Sequence, residues 1–351
     1  RLAADLRDPP PSAAVLIEPP ELRRAQRQAR ANDEDIVQRY GRWARQHYIS
    51  QASARYLAAA SSDEPFHERL VHFWSNHFAV SADKQPLPTI AGLMENEAIR
   101  PNVGSSFYDL LRAVESHPAM LVYLDNQRSI GPNSQFGKRA NRRRSDQEFG
   151  LNENLAREIL ELHTLGVDGG YTQKDVTSFA KVITGWSIGG ATDRGLLADG
   201  RPGTFEFREI MHEPGAQRIL GNRYPQKGVD QGEAVLRDLA THPATARFVS
   251  FKLARHFVAD EPPMALIDRM TNAWLDSGGD LPTVYKVLVR SEESWQANQQ
   301  KYKTPHDVVI STLRAFDHPP DRPQFIVGAL DLSGVAASGD VDDRGDDEVD
   351  R

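Results

Sequence analysis

The sequence predicts a mainly α protein: a multi-helical single large domain with one small β-hairpin. Three observations predict it. Apolar residues recur at intervals of three and four along much of the chain, as in Phe66, Leu70 and Phe73 or Leu151, Leu155 and Ile159, which is the period of an amphipathic helix. Period-two alternation is clearest in Thr204-Phe205-Glu206-Phe207-Arg208, within a stretch holding seven Gly between Gly189 and Gly221. At 351 residues, 39% hydrophobic and 26% charged, the chain has the composition of a globular protein and the length for one large core.

Composition also removes several classes. There is no Cys, which excludes disulfides, thiolate nucleophiles and Cys-ligated metal sites. No run approaches the apolar length of a transmembrane segment. A net charge of −7 gives no general argument for nucleic acid, and none is expected as a partner.

Residues 1–20 carry five Pro between 8 and 20 and read as an extended N-terminal linker. The chain starts at Arg1 without an initiator Met and so reads as a processed product or a fragment, and no signal peptide is visible in it. Residues 21–331 form the predicted helical domain. Its first segment, to Tyr48, is rich in Arg, Gln and Ala and reads as a solvated surface helix.

Between 65 and 79, Phe66, Leu70, Phe73 and His77 share one stripe, which places His77 on the apolar face with Asn76 beside it. The ordinary reading of His77 is a core histidine hydrogen-bonded to a carbonyl. The functional one is that Asn76 and His77 face a site. His67, His72 and His77 are spaced by five and cannot share a face as metal ligands. Residues 126–150 read as a loop holding five basic residues in the seven from Lys138 to Arg144, without the interleaved aromatics that stack on bases.

The densest stretch follows. Leu151, Leu155, Ile159 and Leu162 form a stripe at about 100° per residue. Glu158 falls about 60° from its centre, with Asn154 and Glu161 further round; Asn152 and His163 lie on the other side. A carboxylate at such a boundary must be paired or shift its pKa. Glu153, Arg157 and Glu161 also fit a plain ion-pair ladder. Gly166 ends the helix, Asp168-Gly169-Gly170 makes a turn beside Tyr171, and Thr172 with Asp175 opens a second helix as a capping box. Val176, Phe179, Ala180 and Ile183 form that helix's buried stripe.

Residues 187–228 carry the hairpin signal, with Ile219 to Arg223 as the expected partner of the strand at 204–208. His212 follows that strand and could approach the central cluster. From Gly232 the chain is helical again: one helix opens near Thr241 and Pro243, the next is lined by Met264, Ile267, Met270 and Trp274, a third by Leu281, Val284 and Leu288, and a last starts at Thr304-Pro305 with Asp307. His242 and His306 read as residues of helix caps, and His256 as an ordinary structural histidine. Residues 332–351 change to Ser, Gly, Asp and Val; 340–351 carry seven acids against two Arg and read as a disordered acidic tail.

The stretch Asn152-Glu153-Asn154-Leu155-Ala156-Arg157-Glu158-Ile159-Leu160-Glu161-Leu162-His163-Thr164-Leu165-Gly166, its continuation to Val176, and Thr184-Gly185-Trp186 resemble the signature of the bacterial family filed as domain of unknown function 1800. Phe73 to Phe78, His212 to Gly221 and Lys303-Thr304-Pro305 resemble it too, and the resemblance covers roughly residues 65–331. It implies a mostly helical protein, exported to the periplasm or secreted in many members, with no established activity and no catalytic set to carry over. The pattern departs at Glu213, where an acid-glycine pair reads Glu213-Pro214-Gly215, and a further helical portion expected after residue 332 is missing.

Two functions follow from the residues. In one, the chain is an exported enzyme in which Glu158, His163 and His77 perform acid/base or metal-assisted chemistry, hydrolysis among the options, while Asn76, Asn152, Asn154, Arg157 and Tyr171 bind the substrate. Arg157 would orient an anionic group, and His and carboxylate ligands could hold a divalent metal, though no spacing specifies one. In the other, the same groups are a buried hydrogen-bond network and the protein is a binding or assembly module for an unidentified ligand or protein.

Overall fold

The computed structural model describes residues 34–84, 86–141, 150–190, 200–201, 203–296 and 301–316. The Pro-rich segment 1–20, the acidic tail 332–351 and Arg142 to Arg144 of the basic run lie outside the described residues.

Helices dominate, as the periodicity predicts. α1 (Glu34–Ser61) precedes α2 (Pro65–His77), and α3 (Leu87–Met94) runs on through a π-helical turn (Glu95–Ile99) into a 3₁₀ turn (Arg100–Asn102). α4 (Phe107–Glu115) and α5 (Pro118–Tyr123) follow, then α6 (Gln135–Asn141). α7 (Asn154–Glu158) continues as a second π-helical turn (Ile159–Thr164), and α8 (Gln173–Val182) returns beside it. Strands β1 (Trp186–Ile188), β2 (Phe205–Phe207), β3 (Gln217–Ile219) and β4 (Asn222–Tyr224) separate these from α9 (Val229–Ala240), α10 (Pro243–Phe257), α11 (Met264–Ser277), α12 (Leu281–Arg290) and α13 (Pro305–Phe316).

Local chemistry sets the boundaries. Pro65, Pro118, Pro243 and Pro282 stand in first turns, where the missing N–H is no loss. Ser106, His117, His242 and Asp280 cap the next backbone N–H groups with side-chain acceptors. Thr172 and Asp175 form the predicted capping box on α8. One continuous core runs from Leu70 on α2 to Leu288 on α12, centred on Trp74, Phe78, Phe107 and Trp274. The Phe107 and Trp274 rings are 5.0 Å apart. The indoles of Trp74 and Trp274 have acceptors: Trp74 Nε1 donates to Tyr285 Oη at 2.7 Å and Trp274 Nε1 to the Ala240 carbonyl at 2.9 Å. A separate small cluster docks α13 on α1 through Tyr56, Val309, Ile310 and Leu313.

Four details correct the sequence reading. Residues 126–150 are not loop throughout, because Asn126–Arg128 is a 3₁₀ turn and Gln135–Asn141 a helix. The strand at 205–207 pairs with Trp186–Ile188, antiparallel with Trp186 opposite Phe207. Residues 217–224 instead form their own hairpin, in which Leu220 and Gly221 both take positive φ (48° and 81°), the type I′ turn that matches strand twist. Met264 is exposed, since it sits at the very start of α11 beyond the helices that cover Ile267, Met270 and Trp274. Leu162, assigned to the buried stripe, is 45% exposed. The π turn explains it: Leu165 N donates to Leu160 O, an i to i−5 bond, so the turn is wider than an α turn. Burial then recurs every four residues, at Leu155 and Ala156, Ile159 and Leu160, His163 and Thr164.

Candidate functional site

The α7 π turn carries His163 into the core, where its Nδ1 lies 2.8 Å from Oε1 of Glu115, the last residue of α4. Glu115 is fully buried and His163 only 4% exposed. The approach is bent: it lacks hydrogen-bond geometry, and among the described residues neither Glu115 oxygen has another partner. A carboxylate at a helix C-terminus opposes the macrodipole, and burial adds a desolvation cost, so the pair holds only through the facing imidazole. Sequence reasoning missed Glu115. Its signal was present, because Glu115 follows Phe107 and Leu111 at intervals of eight and four and so continues the buried face of its helix.

His77 meets the same turn from α2. Its Nε2 donates to the His163 carbonyl at 3.0 Å, satisfying one of the carbonyls that a helix end leaves open. The two rings lie 6.2 Å apart. Since a carbonyl only accepts, His77 is the Nε2–H tautomer, and its buried Nδ1 has no partner. Burial, reinforced by the nearby Lys252 ammonium, pushes the His77 pKa well below the ordinary histidine value. This is the carbonyl-bound core histidine of the ordinary reading, but one that touches His163.

Glu158 sits one turn earlier on α7, half-buried. Burial raises its carboxyl pKa, the facing His163 opposes that shift, and Glu161 and Glu115 add to it. It has no hydrogen bond or ion pair among the described residues. On the far side, α10 presents Phe248 and Lys252: the Lys252 Nζ lies 5.2 Å from the Phe248 ring, and burial lowers its pKa to about 8. Phe248 packs 6.4 Å from the His77 ring.

The predicted binding residues scatter. Asn76 is exposed and lines a different cavity, because one step along a helix turns about 100° away from His77. Asn152 ties the start of α7 to the chain before it, its Nδ2 donating to Leu124 O at 2.9 Å and its Oδ1 accepting from Asn154 N at 2.8 Å. Asn154 itself is exposed. Arg157 bonds Gln173 Oε1 at 2.9 Å and pairs with Glu153 at 3.3 Å, while Thr177 donates to Glu153 at 2.6 Å; these bonds clamp α7 to α8. Tyr171 Oη donates to Glu161 at 2.8 Å, and burial with this acid pushes the phenol up to about 12. His212 bonds the Thr184 carbonyl at 3.0 Å and packs on Phe207. Glu213 accepts from Asn133 N and Nδ2 at 2.7 and 2.6 Å, which fastens the loop before α6.

What remains together is Glu115, His163, His77 and Glu158, with Lys252 alongside. Among the described residues no three His, Asp or Glu side chains adopt a metal-binding arrangement. Also among them, no helix is long and apolar enough to cross a membrane. No curated protein and no solved structure matches the chain. The family model described as protein of unknown function, DUF1800, matches residues 2–339, and it is to this family that the chain belongs.

Proposed function

We propose that the protein is an exported bacterial enzyme that uses Glu158 and His163 for acid/base chemistry, with hydrolysis the leading reaction class. The observation that carries the reading is Glu158: a half-buried carboxyl without a hydrogen bond among the described residues, its pKa raised by burial, facing a histidine backed by a buried acid. A structural network would have given Glu158 a partner, whereas a reacting group keeps one side for its substrate. Glu115 lies against the Nδ1 side of His163, so Nε2 is the nitrogen this reading assigns to proton exchange. Glu115 and His77 then act as positioning residues, one through the ring of His163 and the other through its backbone. Export rests on the family resemblance alone.

The test is a panel of 4-nitrophenyl esters, phosphates and glycosides assayed with native protein and with Glu158→Gln, which keeps the shape and removes the charge. Turnover of a panel member should fall by roughly 100-fold or more in Glu158→Gln, at a nearly unchanged melting temperature. No turnover by the native protein, together with a lower melting temperature for Glu158→Gln, would overturn the proposal. It would favour the second reading, a binding or assembly module, for which the sealed His77 to His163 contact is the supporting observation. Fractionating expressing cells tests export separately.

A further inference from the structure

α1, α2 and α3 enclose a second polar site, away from the Glu115–His163 pair. It is a partly open cavity of about 150 Å³, so a ligand larger than that would extend out of its mouth. Ser75 and Asn76 of the Phe73 to Phe78 motif line it, while His77 of the same motif points to the other site. The π turn after α3 contributes Glu95 and Asn96. Each π turn among the described residues thus borders a polar cluster, and π turns often mark functional sites.

The charges in this wall are already matched. Glu95 accepts from Ser75 Oγ at 2.8 Å and pairs with Arg55 at 2.9 Å and Arg100 at 3.1 Å. Arg100 also binds Glu68 at 2.6 Å, so two acids face two guanidinium groups and no net charge is left to select an ion. What is left is amide capacity. Gln51 Nε2 donates to Thr89 O at 3.0 Å, which leaves Oε1 buried without a donor. Gly92 allows that placement, because a Cβ there would lie 2.5 Å from Oε1. Asn76, which is exposed, and Asn96, which is half-buried, have no hydrogen-bond partner among the described residues. Two uncharged carboxamides, Asn76 on α2 and Asn96 in the π turn, therefore border the cavity with hydrogen-bonding capacity to spare, while the Gln51 oxygen is sealed behind its wall.

An amide both donates and accepts, and a hydroxyl is a compact neutral ligand group that answers it in both senses. Ala52, Ala79, Ala91 and Met94 supply an apolar part of the wall suited to C–H edges. We propose that this cavity binds a small neutral polyhydroxylated ring, a single sugar or cyclitol unit. The site is independent of the acid/base reading above.

Saturation-transfer NMR on the full chain with methyl α-D-glucopyranoside and myo-inositol tests it, with acetate and inorganic phosphate as charged probes. At least one neutral ring should show transfer and bind roughly tenfold more weakly to Asn76→Ala and to Asn96→Ala, the effect of one lost hydrogen bond. Glu158→Gln should leave that binding unchanged, which separates this outcome from failure of the catalytic proposal. No transfer to either neutral ring would overturn it. So would binding of only the anions, which would make Arg55 the recognition group, or binding that both Asn variants leave intact.

Discussion

At the residue scale, Glu115 governs the candidate site more than the residues of the signature do. It is fully buried, has no partner but His163 among the described residues, and stands where the helix dipole disfavours it. His163→Leu would leave this acid buried without its imidazole, so that change should cost about 3–5 kcal/mol of stability in urea unfolding. Replacing both partners, as Glu115→Leu with His163→Leu, should recover part of that loss. A His163→Leu variant as stable as the native protein would show that the pair contributes nothing to folding. The acid was legible from its place on the buried face of its helix, but its partner was not. Which imidazole a buried carboxylate meets depends on two helices separated by 48 positions in the chain.

At the element scale, the αα-hairpin of α7 and α8 follows its sequence signals closely at both ends and departs from them in the middle. Gly166 takes φ +85° and the capping box forms, as Gly and Thr-x-x-Asp dictate. The π turn just before Gly166 has no signal in the apolar pattern, because a heptad-like stripe through Leu162 reads equally well as ordinary α-helix. Gly166 and Gly170 permit a clean comparison, since both have φ +85°. A Cβ at Gly166 would lie 3.0 Å from the Phe248 ring, whereas at Gly170 nothing lies within 4 Å. Each Gly→Ala change should destabilise by about 1 kcal/mol or more for backbone strain, and Gly166→Ala by the larger amount. Thermal melts check the order. Equal losses would mean that Phe248 yields freely and the site wall is soft.

At the scale of the whole molecule, α13 is the element whose attachment depends on pH. It is held by the small Tyr56 cluster, by Arg314 Nη1 bonded to the carbonyls of Ala59, Ala60 and Ser62, and by His306 packed 4.4 Å from the His72 ring of α2. His306 also faces Tyr56 and Arg55 of α1, Glu95 after α3, and Asp307 on its own helix. Burial, reinforced by Arg55, lowers its pKa to about 4 against the Asp307 and Glu95 charges. Burial, with Arg69 next, lowers His256 to about 4 as well. A histidine depressed in the folded state binds more protons when unfolded. Its stabilising effect is therefore complete above the unfolded value of 6.5 and is lost as pH falls from there towards about 4. Each of the two should cost on the order of 2–3 kcal/mol across that window. Melting temperature should drop between pH 6.5 and 4, and His306→Gln should flatten part of the drop. A pH-independent melting temperature over this range would refute the assignment.

The sequence by itself determined the class of fold, the helix starts at Ser, Thr, Asp and Pro, the Gly turn between α7 and α8, and the membership of the family. These depend on interactions between residues a few positions apart, which periodicity and capping chemistry encode directly. Tertiary structure alone decided that β2 pairs with β1. It also brought Glu115 to His163 and sent Asn76 and His77 to two different sites. Those outcomes depend on how distant helices meet and on a one-residue widening of a helix turn. A local pattern of apolar spacing carries no term for either.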